Sequence, residues 1–263
     1  LVFYEHILGA LLLFPIVIAF RRHEFVRFKS NEPLLMLVVT LCGSVCATLA
    51  FTKSFQLTHS AIPVLLQKLQ PVWVLGLSKC FLNEKLERRY AFWAIVSLIS
   101  AVFVSIPDLN TLKDAEIYFS GCLLAALSVF LWGITTIADK ILLYRHGPSV
   151  LCLYQYSLGA VFLSGLIFFT NSELRWQTVE SKHLLPGLIF LATIPGGYSI
   201  AIYNAGLKRI PASLSSFIEL IYPISGVIVV NWVMGTDLTA LQLVSGVILL
   251  MATFMISRKT QNL

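Results

Sequence analysis

The hydrocarbon core of a bilayer is about 30 Å thick, and an α-helix needs roughly 20 apolar residues to cross it. The 263-residue chain contains nine stretches of that kind, at 2–20, 33–52, 59–80, 91–107, 117–141, 149–170, 184–204, 210–233 and 238–257. The separators are too short to hold a soluble domain. Backbone in lipid must satisfy its own hydrogen bonds, which leaves helices or closed barrels. The runs are about twice the length of a barrel strand and lack period-two alternation, so barrels are excluded. The expected fold class is an all-α polytopic membrane protein. Composition excludes the other classes: 57% of residues are hydrophobic and 12% charged. That leaves too little polar side chain to clothe a cytosolic enzyme and too apolar a chain to be disordered.

The net charge of +6 does not point to nucleic acid, because the basic residues fall in short clusters between the runs. If the first run enters inward, 14 Lys and Arg fall on one side, including Arg21, Arg22, Lys79, Lys140, Arg145, Lys208, Arg209 and Arg258. Four fall on the other side, Lys53, Lys113, Arg175 and Lys182, and Lys68 lies inside a span. The acids Asp108, Asp114, Glu116, Glu173, Glu180 and Asp237 join the poor side. The basic side is therefore expected to be cytoplasmic, with the C-terminus inside. The five cysteines read as membrane-packing residues, with no His or further Cys to complete a metal site.

Sliding residues 51–105 by 152 positions reveals an internal repeat: Pro71 falls on Pro223, Gln67 on Glu219, Gln70 on Tyr222 and Leu86 on Leu238. Upstream, Leu8-Gly9-Ala10 pairs with Leu158-Gly159-Ala160, and Tyr4-Glu5-His6 with Tyr154-Gln155-Tyr156. The copies are 1–107 with four helices and 117–257 with five. The counterpart of the helix carrying Trp132-Gly133 would precede Leu1, so nine of ten helices are expected in this chain. A chain without that opening helix is expected to work poorly. Five is odd, so the second copy enters the membrane in the opposite sense. Inverted repeats with a substrate site at the midplane are a common transporter design.

Ala61 to Pro71, followed by Asn83-Glu84-Lys85-Leu86, resembles the drug/metabolite transporter superfamily, EamA type. There the fourth helix of each half has an Ala-rich start, a central proline and a Gly-Glu-x-Leu exit. Leu131-Trp132-Gly133 with Lys140 is similar to the family's half-opening Trp-Gly … Lys helix. Asn83 stands where Gly is usual, and Thr236-Asp237 replaces the second glutamate. The resemblance implies a secondary carrier in the cell (inner) membrane, exporting a small organic metabolite such as an amino acid or nucleoside. No cofactor or nucleic acid is implied, and the carrier would be a monomer or homodimer in the bilayer.

Ionisable groups inside spans cost about 2.5–3.5 kcal/mol each on insertion scales and are functional by default. Glu219 has the longest apolar and hydroxyl flanks, and Ser215, Glu219 and Tyr222 share a helical face. The repeat puts Pro63, Gln67 and Gln70 on the matching face. Gln67, Gln70, Glu219 and Tyr222 are therefore candidate cavity-lining groups. Lys68 either edges that cavity, meeting a substrate carboxylate or phosphate, or pairs with Glu219 as a structural salt bridge. Tyr198 and Asn204 follow the Pro195-Gly196-Gly197 break and are further candidates for substrate contact or packing. Glu5 reads as an interface cluster with Tyr4 and His6, or as a proton acceptor alongside Glu219. Asp139 approaches the cytoplasmic end of its helix, and Lys140 reads as a positive-inside anchor.

The rival classes are weaker. An intramembrane enzyme needs a nucleophile with its base, or a metal set, and neither His-Glu-x-x-His nor Gly-x-Ser-x-Gly occurs. A non-transporting membrane scaffold or partner-binding protein is the main alternative, but it has no need of polar groups on matched faces of two helices.

Overall fold

In the computed structural model, residues 2–59, 61–84, 88–105, 118–170, 184–234 and 239–260 are described, and the described residues are helical throughout apart from short connections. The expectations placed on Lys85-Leu86, on residues 108–116 and 171–183, and on Thr236-Asp237 lie outside them. Among the described residues six helices are long and apolar enough to cross a membrane, at Val2–Phe20, Glu32–Leu57, Phe119–Leu143, Pro148–Phe169, Pro186–Leu207 and Ala240–Arg258.

The helices are α1 Val2–Phe20, α2 Glu32–Val38, α3 Thr48–Leu57, α4 Ala61–Gln67, α5 Gln70–Phe81 and α6 Arg88–Ser105. They continue with α7 Phe119–Leu143, α8 Pro148–Phe169, α9 Leu184–Leu191, α10 Ser199–Leu207, α11 Ala212–Glu219, α12 Tyr222–Met234 and α13 Ala240–Thr260. Between α2 and α3 the backbone winds as a π-helix over Val39–Ala47, and between α9 and α10 over Ala192–Tyr198.

Two of the expected spans are broken helices, at the kinks that Pro71 and Pro223 lead one to expect from sequence. The run 59–80 breaks at Lys68-Leu69 between α4 and α5, and the run 210–233 breaks at Leu220-Ile221 between α11 and α12. Proline supplies the reason. An α-helix bonds each N–H to the carbonyl four residues back, and proline has no N–H to give. Pro71 therefore leaves the Gln67 carbonyl without its helical donor, and Pro223 does the same to Glu219. At both breaks the chain tightens into three-residue turns, Lys68 N–H to Leu65 O at 3.1 Å and Leu220 N–H to Phe217 O at 3.2 Å. The two breaks lie 152 residues apart, and the starts of the two π-helical stretches 153 apart.

The chain divides into two compact units. The first comprises Leu1–Leu49 and Ile134–Arg209, the second Ala50–Gly133 and Ile210–Leu263. In the first unit α1 packs along α8, and Leu13, Val17, Val150, Cys152, Leu153 and Tyr156 form its core. Two glycines permit the approach. A Cβ on Gly9 would run into the Tyr156 ring, and one on Gly159 into the His6 ring. The contact is reciprocal: His6 and Tyr156 are paired in the repeat expected from sequence, and each ring sits over the glycine of the other helix.

In the second unit α6 packs along α13, and α11 against α5. Tyr90, Ala94, Ala101, Val104, Leu214, Phe217, Leu249 and Ile256 are buried together there. Gly133 is pressed against Trp73, while the Trp132 ring meets Phe51 edge-on with centroids 5.0 Å apart. The Trp132-Gly133 pair thus presents one bulky and one absent side chain to neighbouring aromatics.

Candidate functional site

The second unit brings together five of the residues singled out by sequence. Tyr222, on the far side of its helix break, donates its hydroxyl to Gln67 Oε1 at 3.0 Å. Gln70, on the far side of the other break, donates from Nε2 to Glu219 Oε2 at 3.4 Å. In the repeat expected from sequence Gln67 matches Glu219 and Gln70 matches Tyr222, so these two bonds are reciprocal across those paired positions. The face shared by Ser215, Glu219 and Tyr222 is not one continuous helix, because the Leu220-Ile221 turn intervenes; Ser215 is buried in α11.

Lys68 stands apart from this frame. It is 1% exposed, its Nζ has no hydrogen-bond partner, and it enters no ion pair among the described residues. The salt bridge to Glu219 entertained from sequence is not formed. The ammonium instead lies over the Tyr222 ring, 3.9 Å from its centroid. A desolvated cation–π contact of this kind contributes about 2 kcal/mol, less than an ammonium loses on leaving water. Its matched position is Leu220, so the repeat itself does not require a charge there.

Tyr198 and Asn204 belong to the first unit. Tyr198 is 64% exposed. Asn204 is 0% exposed, and neither its Oδ1 nor its Nδ2 has a hydrogen-bond partner. Glu5 is half-buried in α1 beside His6, whose Nδ1 lies 2.8 Å from the Val2 carbonyl. Asp139, read from sequence as near a helix end, is buried and accepts a bond from Gln155 Nε2 at 2.7 Å. The cysteines do not share one environment: Cys152 is buried, whereas Cys46 and Cys80 are exposed.

Several charged residues carry roles that sequence reasoning missed. Lys140 is buried, not a surface anchor. Its ammonium donates to the Leu207 carbonyl at 2.7 Å and the Lys208 carbonyl at 3.3 Å, capping the C-terminus of α10, where a cation is favoured by the helix dipole. Glu84 does the converse for α11. Its carboxylate accepts the Ala212 N–H at 2.7 Å, the Ser213 N–H at 3.2 Å and the Ser213 hydroxyl. Asn83 just before it has φ 54°, the left-handed region where glycine is cheapest and asparagine the usual substitute. In the first unit Glu32 accepts Arg145 at 2.5 Å and lies 3.1 Å from His146 Nε2. Spacing gives no hint of any of these, because each partner is far away in sequence.

The long apolar helices and the broken pair, with its half-buried polar groups around a buried lysine, define a polytopic membrane protein built like a solute carrier. The chain belongs to the EamA-like transporter family, whose sequence pattern matches residues 1–106 and 119–258. It is 25% identical over 264 residues to a riboflavin transporter, ImpX, of Fusobacterium nucleatum, covering 98% of this chain and 87% of that one. It is 23% identical to an uncharacterized transporter, YoaV, of Bacillus subtilis, over 79% of this chain and 71% of that one. An uncharacterized transporter of Methanothermobacter thermautotrophicus is 20% identical over 88% of this chain and 66% of its own length. A solved crystal structure shares the fold with a TM-score of 0.79 at 15% identity, covering 99% of this chain and 87% of that one.

Proposed function

We propose that this transporter is a secondary carrier for a small organic metabolite, with its substrate site at the two matched helix breaks of the second unit. Gln67, Gln70, Glu219 and Tyr222 form the polar frame, and Lys68 supplies the charge that selects the substrate. The observation that carries this reading is the buried Lys68 ammonium, without a hydrogen bond or ion pair among the described residues, at a position whose expected repeat partner is leucine. Within the scaffold such a charge recovers only about 2 kcal/mol from the Tyr222 ring, less than it loses on leaving water, whereas a carboxylate, phosphate or electron-rich carbonyl of a bound solute would satisfy it.

The architecture is read as an inverted repeat of 1–107 and 117–257. Matched π-helices, matched breaks and the reciprocal contacts of Gly9 with Gly159 and of Gln67-Gln70 with Glu219-Tyr222 support that reading. Broken helices near the midplane are where inverted-repeat carriers hold their solutes. Export across the cell membrane with a cytoplasmic C-terminus, and proton coupling through Glu219 or Glu5, complete the proposal. Amino acids and nucleosides form the substrate pool, and the relative named a riboflavin transporter adds riboflavin as the first solute to test.

The test is untargeted metabolite analysis of medium from cells expressing the parent protein, Lys68→Met or Glu219→Gln. One chemical class accumulating with the parent and not with the variants is the expected result. Equal accumulation with all three would remove these residues from the site, and an unchanged medium would turn the search to uptake.

A further inference from the structure

The first unit contains a cleft of about 540 Å³ that the carrier reading does not use. Its rim is basic: Arg21 at the end of α1, and Lys208 and Arg209 after α10, with Glu24 the acid among its lining residues. Its wall is one face of α10 and the turn before it, where Tyr198 and Ile202 are 64% and 57% exposed. From Tyr198 to Lys208 that face runs about 15 Å along the helix axis at 1.5 Å per residue. The cleft is thus cationic at one end and apolar along its depth, and the cationic end lies on the basic side of the membrane.

We propose that this cleft binds a phospholipid with an anionic headgroup from the basic-side leaflet. A soluble anion needs only the rim, and a neutral hydrophobe only the wall. An anionic lipid uses both, with its phosphate at Arg21 and Arg209 and its upper acyl chain against Ile202 and Tyr198. The rim residues are already oriented for this. Arg21 is held by Glu24 at 3.4 Å, and Lys208 donates to the His146 carbonyl at 3.0 Å. Arg209 enters no ion pair among the described residues. Three cations against one carboxylate leave the rim net positive, complementary to a phosphodiester. Basic pockets between spans on the cytoplasmic side recur as sites for anionic lipids.

The experiment is native mass spectrometry of the purified chain in detergent with phosphatidylglycerol or phosphatidylcholine, on the parent and on Arg21→Gln/Arg209→Gln. The parent is expected to retain phosphatidylglycerol over phosphatidylcholine, and the double variant to lose roughly 30-fold in that preference, at about fivefold per cation near a membrane surface. Ile202→Trp, which fills the wall and leaves the rim intact, is expected to lower retention as well, and serves should the double variant not fold. Equal retention of the two lipids, or a preference unchanged in the variants, overturns the proposal. Displacement of phosphatidylglycerol by millimolar sn-glycerol 3-phosphate also overturns it, because the occupant would then be a soluble anion.

Discussion

Replacing Lys68 by Met should make the protein more stable and less active. Met keeps the unbranched apolar stem and removes the ammonium. On insertion scales a lysine at the centre of a span costs about 2.5–3.5 kcal/mol, and its contact with the Tyr222 ring offsets about 2 kcal/mol. The ammonium has no other partner to lose, because its Nζ makes no hydrogen bond and no ion pair among the described residues. The variant should therefore gain about 1 kcal/mol, which for a chain of this size raises the unfolding midpoint by about 2–4 °C. The assay is tryptophan fluorescence or light scattering on heating, in one fixed detergent, beside transport by the same preparations. Transport should fall at least tenfold on the order expected for losing a charged contact to the solute. A midpoint lowered by several degrees would refute the reasoning, since it would mean that the scaffold itself depends on the charge.

The caps and crossings give further expectations. Glu84→Gln removes the negative charge from the α11 N-terminus and should cost about 0.5–2 kcal/mol, seen as faster hydrogen exchange of the Ala212 and Ser213 amides and little change elsewhere. Lys140→Met leaves the Leu207 and Lys208 carbonyls unpaired and should cost about 1–3 kcal/mol, read as a lower unfolding midpoint. Gly9→Ala and Gly159→Ala each drive a methyl into an aromatic ring and should each cost about 1–3 kcal/mol. Similar losses from the two would match the reciprocal contact, and a neutral result for either would contradict it. Asn83→Gly should be tolerated, whereas Asn83→Val should cost about 1–2 kcal/mol at this positive φ.

Much of the candidate site's geometry was legible because the expected repeat pairs positions as well as residues. Sliding by 152 put Gln67 with Glu219 and Gln70 with Tyr222, and the structure joins each residue to the other pair's member. A kink in each helix was legible from Pro71 and Pro223, but its exact place was not, because the apolar run continues through Lys68-Leu69 and Leu220-Ile221. Only the N–H that proline lacks, four residues beyond Gln67 and Glu219, marks where the helical bonding fails. The charged caps were not legible at all. Glu84 reaches a helix 128 residues away and Lys140 a carbonyl 67 residues away, so no local pattern announces either. Lys140 looked like an orientation signal because a cap at a helix end and an anchor at a membrane edge share the same residue type and depth. The family-like motifs around Trp132-Gly133 and Asn83-Glu84 acquire physical content only from these contacts: a close aromatic approach, a left-handed turn and a helix cap.

The central claim, a solute site at Lys68 and Glu219, is tested most directly by counterflow in proteoliposomes. Vesicles holding the parent protein, Lys68→Met or Glu219→Gln would be preloaded with unlabelled riboflavin and then with each member of an amino-acid and nucleoside panel. Entry of the matching labelled solute would be followed in each. The expected result is counterflow of one solute class by the parent, lost in both variants while their unfolding midpoints stay at or above the parent's. Counterflow that persists undiminished in both variants would contradict the claim and move the site away from the paired breaks.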